Sequence, residues 1–143
     1  MSTFEALAIG DTFTTPSITL DAERVANIVA AGGYTHPLFT DPAFAAASPF
    51  GRTPVPGEGL LLVMGGLIEQ TDRFDETTIA LTGFDSVRFV AAAFIGDTVH
   101  VVAEVLAKEP SKKTGTIVFA WRCFMDDELL VDAAARMLFR LPA

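Results

Sequence analysis

Pro56-Gly57-Glu58-Gly59-Leu60-Leu61-Leu62-Val63-Met64-Gly65-Gly66-Leu67-Ile68 is apolar on nearly every side of a helical wheel; the segment runs to about Thr71, and a polar turn, Asp72 to Glu76, ends it. A surface helix keeps one polar face; a helix with none is expected to be buried all round. The glycines at 57, 59, 65 and 66 each cost about 1 kcal/mol against alanine in a helix interior, so they imply close approach of another backbone or of a ligand. The strongly apolar part, Gly59 to Ile68, lies between two glutamates and falls short of the roughly 18 residues that span a bilayer.

Downstream, the period changes to two. Ile79 to Ala93 reads as a long strand with a bulge at Gly83, where the apolar parity slips. Val99, Val101, Ala103 and Val105 alternate with Thr98, His100 and Glu104. Ile117, Phe119, Trp121, Cys123 and Met125 form a second alternating set, and Val131, Ala133, Ala135, Met137 and Phe139 a third. These are antiparallel strands buried on one face, joined by turns at Gly96-Asp97, Lys112 to Gly115 and Asp126 to Glu128. Upstream, Thr12 to Thr19, around Pro16, suits an edge strand or an extended entry, and Asp21 to Ala31 suits a helix ended by Gly32-Gly33. The stretch 33–55 is an irregular, proline-rich excursion in which Thr40 or Asp41 starts a short helix to Ala47. The expected class is α+β, with an antiparallel sheet wrapped around a long central helix.

The whole composition agrees with one globular domain over residues 1–143: 50% hydrophobic and 20% charged. Ten basic and 18 acidic residues give a net charge of −8, which argues against a nucleic-acid or anionic-membrane surface. One cysteine, Cys123, excludes an internal disulfide, and the first basic side chain is Arg24, so a cytoplasmic location is expected.

Four segments, in order, resemble the hotdog-fold family of MaoC-like, (R)-specific enoyl-CoA hydratases. Ile9-Gly10-Asp11 with Ile18 to Asp21 is similar to the family's opening, and Gly33 to Asp41 (GYTHPLFTD) lies over its GDxNPLHxD signature. Phe50-Gly51 with Pro56-Gly57 lies over FGxxxxHG, and Arg88-Phe89 with Gly96-Asp97-Thr98 over RFxxPVxxGDT, Ala92 replacing the proline. The resemblance implies hydration of a trans-2-enoyl thioester or the reverse dehydration. Coenzyme A or an acyl-carrier phosphopantetheine would enter only as part of the substrate, with no separate cofactor and no metal. It also implies a dimer, joined sheet edge to sheet edge.

The chain departs from that family where the chemistry lies. The signature's aspartate and histidine are replaced by Tyr34 and Phe39, and the HG histidine by Pro56. A Pro-Gly at this point is similar to related acyl-carrier-protein dehydratases, but Leu62 stands near where their catalytic glutamate would fall. His36, Tyr34 and Glu58 remain as catalytic candidates. Imidazole is the side chain suited to moving protons near neutrality, so His36 is either a proton carrier or a loop histidine bonded to backbone. Two residues apart in an extended loop, Tyr34 and His36 are expected on the same side. Glu58 is either a base or ordinary compensation of the helix dipole. Gly57, Phe39 and Pro56 are the expected substrate-binding positions, Gly57 through free N–H groups at a helix start that can hold an enolate oxygen. Lys108, Lys112 and Lys113 cluster at a turn that either is solvated or meets the nucleotide of coenzyme A, and Arg88 either pairs with Asp85 along their strand or reaches a phosphate. The competing readings are a thioesterase using water near Glu58 or His36, and a non-catalytic subunit that pairs with an active partner.

Overall fold

The computed structural model describes residues 3–74 and 76–143. Short strands β1 (Thr12–Thr14) and β2 (Ile18–Thr19) are separated around Pro16, which has no N–H for a ladder. Helix α1 (Ala22–Gly32) begins at Asp21, whose carboxylate accepts the Arg24 N–H at 2.8 Å. It ends at Gly33, whose φ of +70° suits glycine. The excursion holds α2 (Pro37–Thr40) and α3 (Pro42–Ala47), and then comes α4 (Gly57–Glu69). Four long strands follow: β3 (Thr78–Phe89), β4 (Thr98–Pro110), β5 (Thr114–Met125) and β6 (Glu128–Arg140).

The strands pair antiparallel in the order β1-β4-β5-β6-β3, with β2 also on β4. The expected irregularity at Gly83 is present as a register shift between Leu81 and Gly83 against β6. Period-two alternation puts Val101, Val105, Phe119, Trp121, Val131 and Phe139 on the face that packs with Leu60, Met64 and Leu67 of α4 in one core. Leu130 departs from strict alternation and is also fully buried. On polar positions of the same strands, Arg122 pairs with Glu104 at 2.9 Å and Arg136 with Asp85 at 3.0 Å and with Glu109. Asp85 is therefore held across the sheet by Arg136 rather than along its own strand by Arg88.

Three expectations need correction. The strand expected over Ile79 to Ala93 stops at Phe89. Val90 and Ala91 both donate to the Leu130 carbonyl, at 2.8 and 3.2 Å, and the Ala93 carbonyl accepts the Val55 N–H at 2.8 Å, so the chain turns to cover the excursion. Helix α2 was not expected; Pro37 in its first turn and His36 as its cap nucleate it. Finally, α4 is not enclosed on every side. Leu62 is 68% exposed and Gly65 and Gly66 are partly so, because the sheet and α1 cover only part of the helix. Gly59 has the close contact its type implied: a Cβ there would lie 2.4 Å from Ile28 Cγ2 of α1. Positions 65 and 66 would put a Cβ into open space.

Candidate active site

The turn after α1 fixes Tyr34. Its N–H donates to the Val29 carbonyl at 3.1 Å, and its ring crosses Gly32 so closely that a Cβ at 32 would lie 2.5 Å from Tyr34 Cε2. Phe39 packs edge-on against the same ring, with centroids 5.3 Å apart. Held on both sides, the phenol reaches the second residue of α4, where Tyr34 Oη donates to Glu58 Oε2 at 2.7 Å. That bond, together with Glu58's own backbone N–H, holds the Glu58 carboxyl below its ordinary value. The same bond, partial burial and the carboxylate's charge push the Tyr34 phenol above its ordinary value. One pair therefore contains a carboxylate that stays ionised and a phenol that stays protonated.

Glu58 stands at a helix start with free donors. Pro56 is the capping residue and offers no side-chain hydrogen bond; the first helical bond runs from the Leu60 N–H to the Pro56 carbonyl at 3.0 Å. The N–H groups of Gly57 and Gly59 thus have no acceptor within the helix. Gly57, Glu58 and Tyr34 line a cavity of about 560 Å³ whose other walls are Leu38, Phe39, Phe50, Leu60, Phe89, the segment 90–93 and Pro54-Val55. Among the described residues, Tyr34 and Glu58 are the only polar side chains in that lining. An apolar chamber with one hydrogen-bonded acid–phenol pair and a donor-bearing helix start can hold an acyl group, polarise its carbonyl and direct water to it.

Of the sequence candidates, the structure brings together Tyr34, Glu58, Gly57 and Phe39. It does not bring His36 to the cavity. Pro37 starts a helical turn directly after His36, so the loop is not extended there; His36 Nδ1 accepts the Leu38 N–H at 3.0 Å, and the ring packs edge-on to Phe44. With Nδ1 accepting, neutral His36 carries its proton on Nε2 and offers no free basic nitrogen. Pro56 is fully buried and its side chain is outside the lining, because it packs under the helix it starts. Lys108 is used structurally, donating to the Leu7 carbonyl at 2.7 Å, and His100 stacks on Phe124. Burial pushes the Cys123 thiol up to about 12, which leaves it unreactive.

Sequence reasoning missed Gly32 and the segment 91–93 as parts of the site. The Gly32-Gly33 doublet carries a signal for the first: one glycine suffices to end a helix, and the second is free for another purpose. Among the described residues no group of three or more His, Cys, Asp or Glu could hold a metal ion, and no helix is long and apolar enough to cross a membrane.

A family model described as MaoC-like domain matches residues 4–120. Among solved structures, the chain is similar to a protein of Archaeoglobus fulgidus described as a monoamine oxidase regulatory protein, with 27% identity and a TM-score of 0.93 over 99% of this chain and 96% of that one. It is similar to the (R)-hydratase of A. caviae involved in PHA biosynthesis, with 28% identity and a TM-score of 0.71 over 96% and 99%. In fold it also matches a MaoC-like dehydratase of Rhodospirillum rubrum, with 23% identity and a TM-score of 0.85 over the full length of both. No curated protein matches the chain. With the family domain spanning most of its length on a hotdog framework, the chain belongs to the MaoC-like dehydratase family.

Proposed function

We propose that the protein adds water to, or removes it from, an acyl thioester at the Tyr34–Glu58 pair. In the hydration direction, the Glu58 carboxylate takes a proton from water as the water oxygen bonds to the β-carbon of a 2-enoyl thioester. Electron density moves to the thioester oxygen, which accepts a hydrogen bond from the Gly57 N–H at the α4 start. The proton held on Glu58 then passes to the α-carbon, and the product is a 3-hydroxyacyl thioester. Tyr34 keeps the carboxylate ionised and aimed. The single observation behind this reading is the 2.7 Å bond between Tyr34 and Glu58 in an otherwise apolar cavity. The (R)-hydratase named among the similar structures performs chemistry of this class. The substrate is a thioester of coenzyme A or of a carrier protein, and the functional unit is a homodimer joined at β3, an edge strand with exposed Ile79 and Leu81.

The test is turnover of a short 2-enoyl-CoA, followed as loss of enoyl absorbance, with wild type and Glu58→Gln. Hydration that falls about a hundredfold in the variant, the usual scale of acid–base catalysis, supports the reading. Release of free thiol without enoyl loss would make the protein a thioesterase. Neither activity, with intact thioester binding, would make it a binding subunit.

A further inference from the structure

Among the described residues, one cation beside the cavity is in no ion pair. Among the described residues the arginine ion pairs belong to Arg122 and Arg136, both on the sheet. Arg52 has none, in a chain with eight more acids than bases. Gly51, at a φ of +71°, turns the chain there. The Arg52 guanidinium lies over the Phe94 ring with its carbon 3.9 Å from the centroid. Phe94 is held twice at its backbone and once at its ring. Asp97 Oδ2 accepts the Phe94 N–H at 2.9 Å, Pro54 bridges to Phe94 antiparallel, and Phe50 packs edge-on at 6.4 Å. Phe50, Pro54 and the neighbouring Ala93 all line the cavity. The stack thus holds an exposed, planar donor group beside the chamber wall, with no ion pair to it among the described residues.

We propose that Arg52 binds a phosphate at the far end of the substrate's pantetheine arm, an inference that rests on the thioester reading of the same cavity. A stacked guanidinium presents its N–H fork already ordered, and phosphate oxygens match it in charge and shape. The cavity itself offers a pantetheine arm no cation, because its only charged lining residue is Glu58. Coenzyme A and carrier-bound phosphopantetheine both carry a phosphate at this end of the arm, so one residue would serve either.

The experiment measures binding and turnover of one enoyl group on coenzyme A, on holo-carrier protein and on phosphate-free pantetheine, with wild type, Arg52→Ala and Arg52→Lys. The expected result is a KM and Kd about tenfold higher for the phosphate-bearing thioesters in Arg52→Ala, partial recovery in Arg52→Lys, and unchanged kcat and unchanged pantetheine values. A shift with coenzyme A alone, or with the carrier alone, identifies the source of the phosphate. Equal effects on pantetheine and coenzyme A thioesters, or none on either, overturn the proposal while leaving the hydratase reading intact. A wild type that binds phosphate-bearing thioesters through Arg52 but turns none over overturns the hydratase reading and keeps this one, whereas a kcat lost in Arg52→Ala overturns this one. A wild type that binds no thioester overturns both.

Discussion

Tyr34 and Glu58 lie 24 positions apart in sequence, and their hydrogen bond is a consequence of packing rather than of motif. Each residue was individually visible as a candidate, but a sequence does not show which polar groups a fold will bring to 2.7 Å. His36 stood out as an imidazole in the signature loop; its backbone bond depends on the α2 turn, which a four-residue helix announces only weakly. Tyr34→Phe removes the largest influence that lowers the Glu58 pKa. The active form is the carboxylate, which is lost as pH falls through its pKa. The acid limb of the rate profile should therefore move to higher pH in Tyr34→Phe, with a smaller loss at neutral pH than in Glu58→Gln. Gly32→Ala should also act through the pair. Its φ is not in the left-handed region, so the backbone accepts alanine, but the new Cβ would meet the Tyr34 ring at 2.5 Å. A tyrosine displaced in this way should give an acid limb shifted as in Tyr34→Phe, with a melting temperature lowered by no more than a few degrees.

At the scale of elements, the alternating strands β4, β5 and β6 were legible because one buried face imposes a period of two on residues such as Val99 to Val105. Strand β3 was legible in place but not in length, since hydrogen bonds to Leu130 and Val55 take its end out of the ladder. Helix α4 was legible as a helix, yet its composition overstated its burial: Leu62 is exposed, and the glycines at 65 and 66 have no close neighbour. Its N-terminal end is where structure meets chemistry. A Cβ at position 57 would stand 3.0 Å from the Phe89 ring. That ring is half exposed and free to swing, so Gly57→Val should fold. Its branched side chain would occupy the space before the first N–H groups. Titration calorimetry should then show thioester affinity reduced by at least tenfold, against unchanged circular dichroism.

For the molecule as a whole, four ordered motifs and one apolar helix sufficed for the hotdog framework, because a framework tolerates substitution wherever size and polarity pattern persist. The site was less legible for the opposite reason: its groups must meet at specific distances, and Tyr34 and Glu58 reach each other only through the packing of the α1 turn against the start of α4. Strand β3 pairs with β6 on one side only. Light scattering of the wild type should give twice the 15.2 kDa chain mass, and Leu81→Lys, which places a charge on that edge, should give the monomer. The most direct measurement is the pH dependence of enoyl-CoA hydration in wild type and Glu58→Gln. With a carboxylate base held below its ordinary pKa of 4.5, the wild-type rate should stay level as pH falls through about 6.5, the imidazole value, and drop only below the ordinary carboxylate range. Glu58→Gln should lose about a hundredfold across the plateau. A wild-type rate that halves near pH 6.5, with Glu58→Gln almost fully active, would contradict Glu58 as the base.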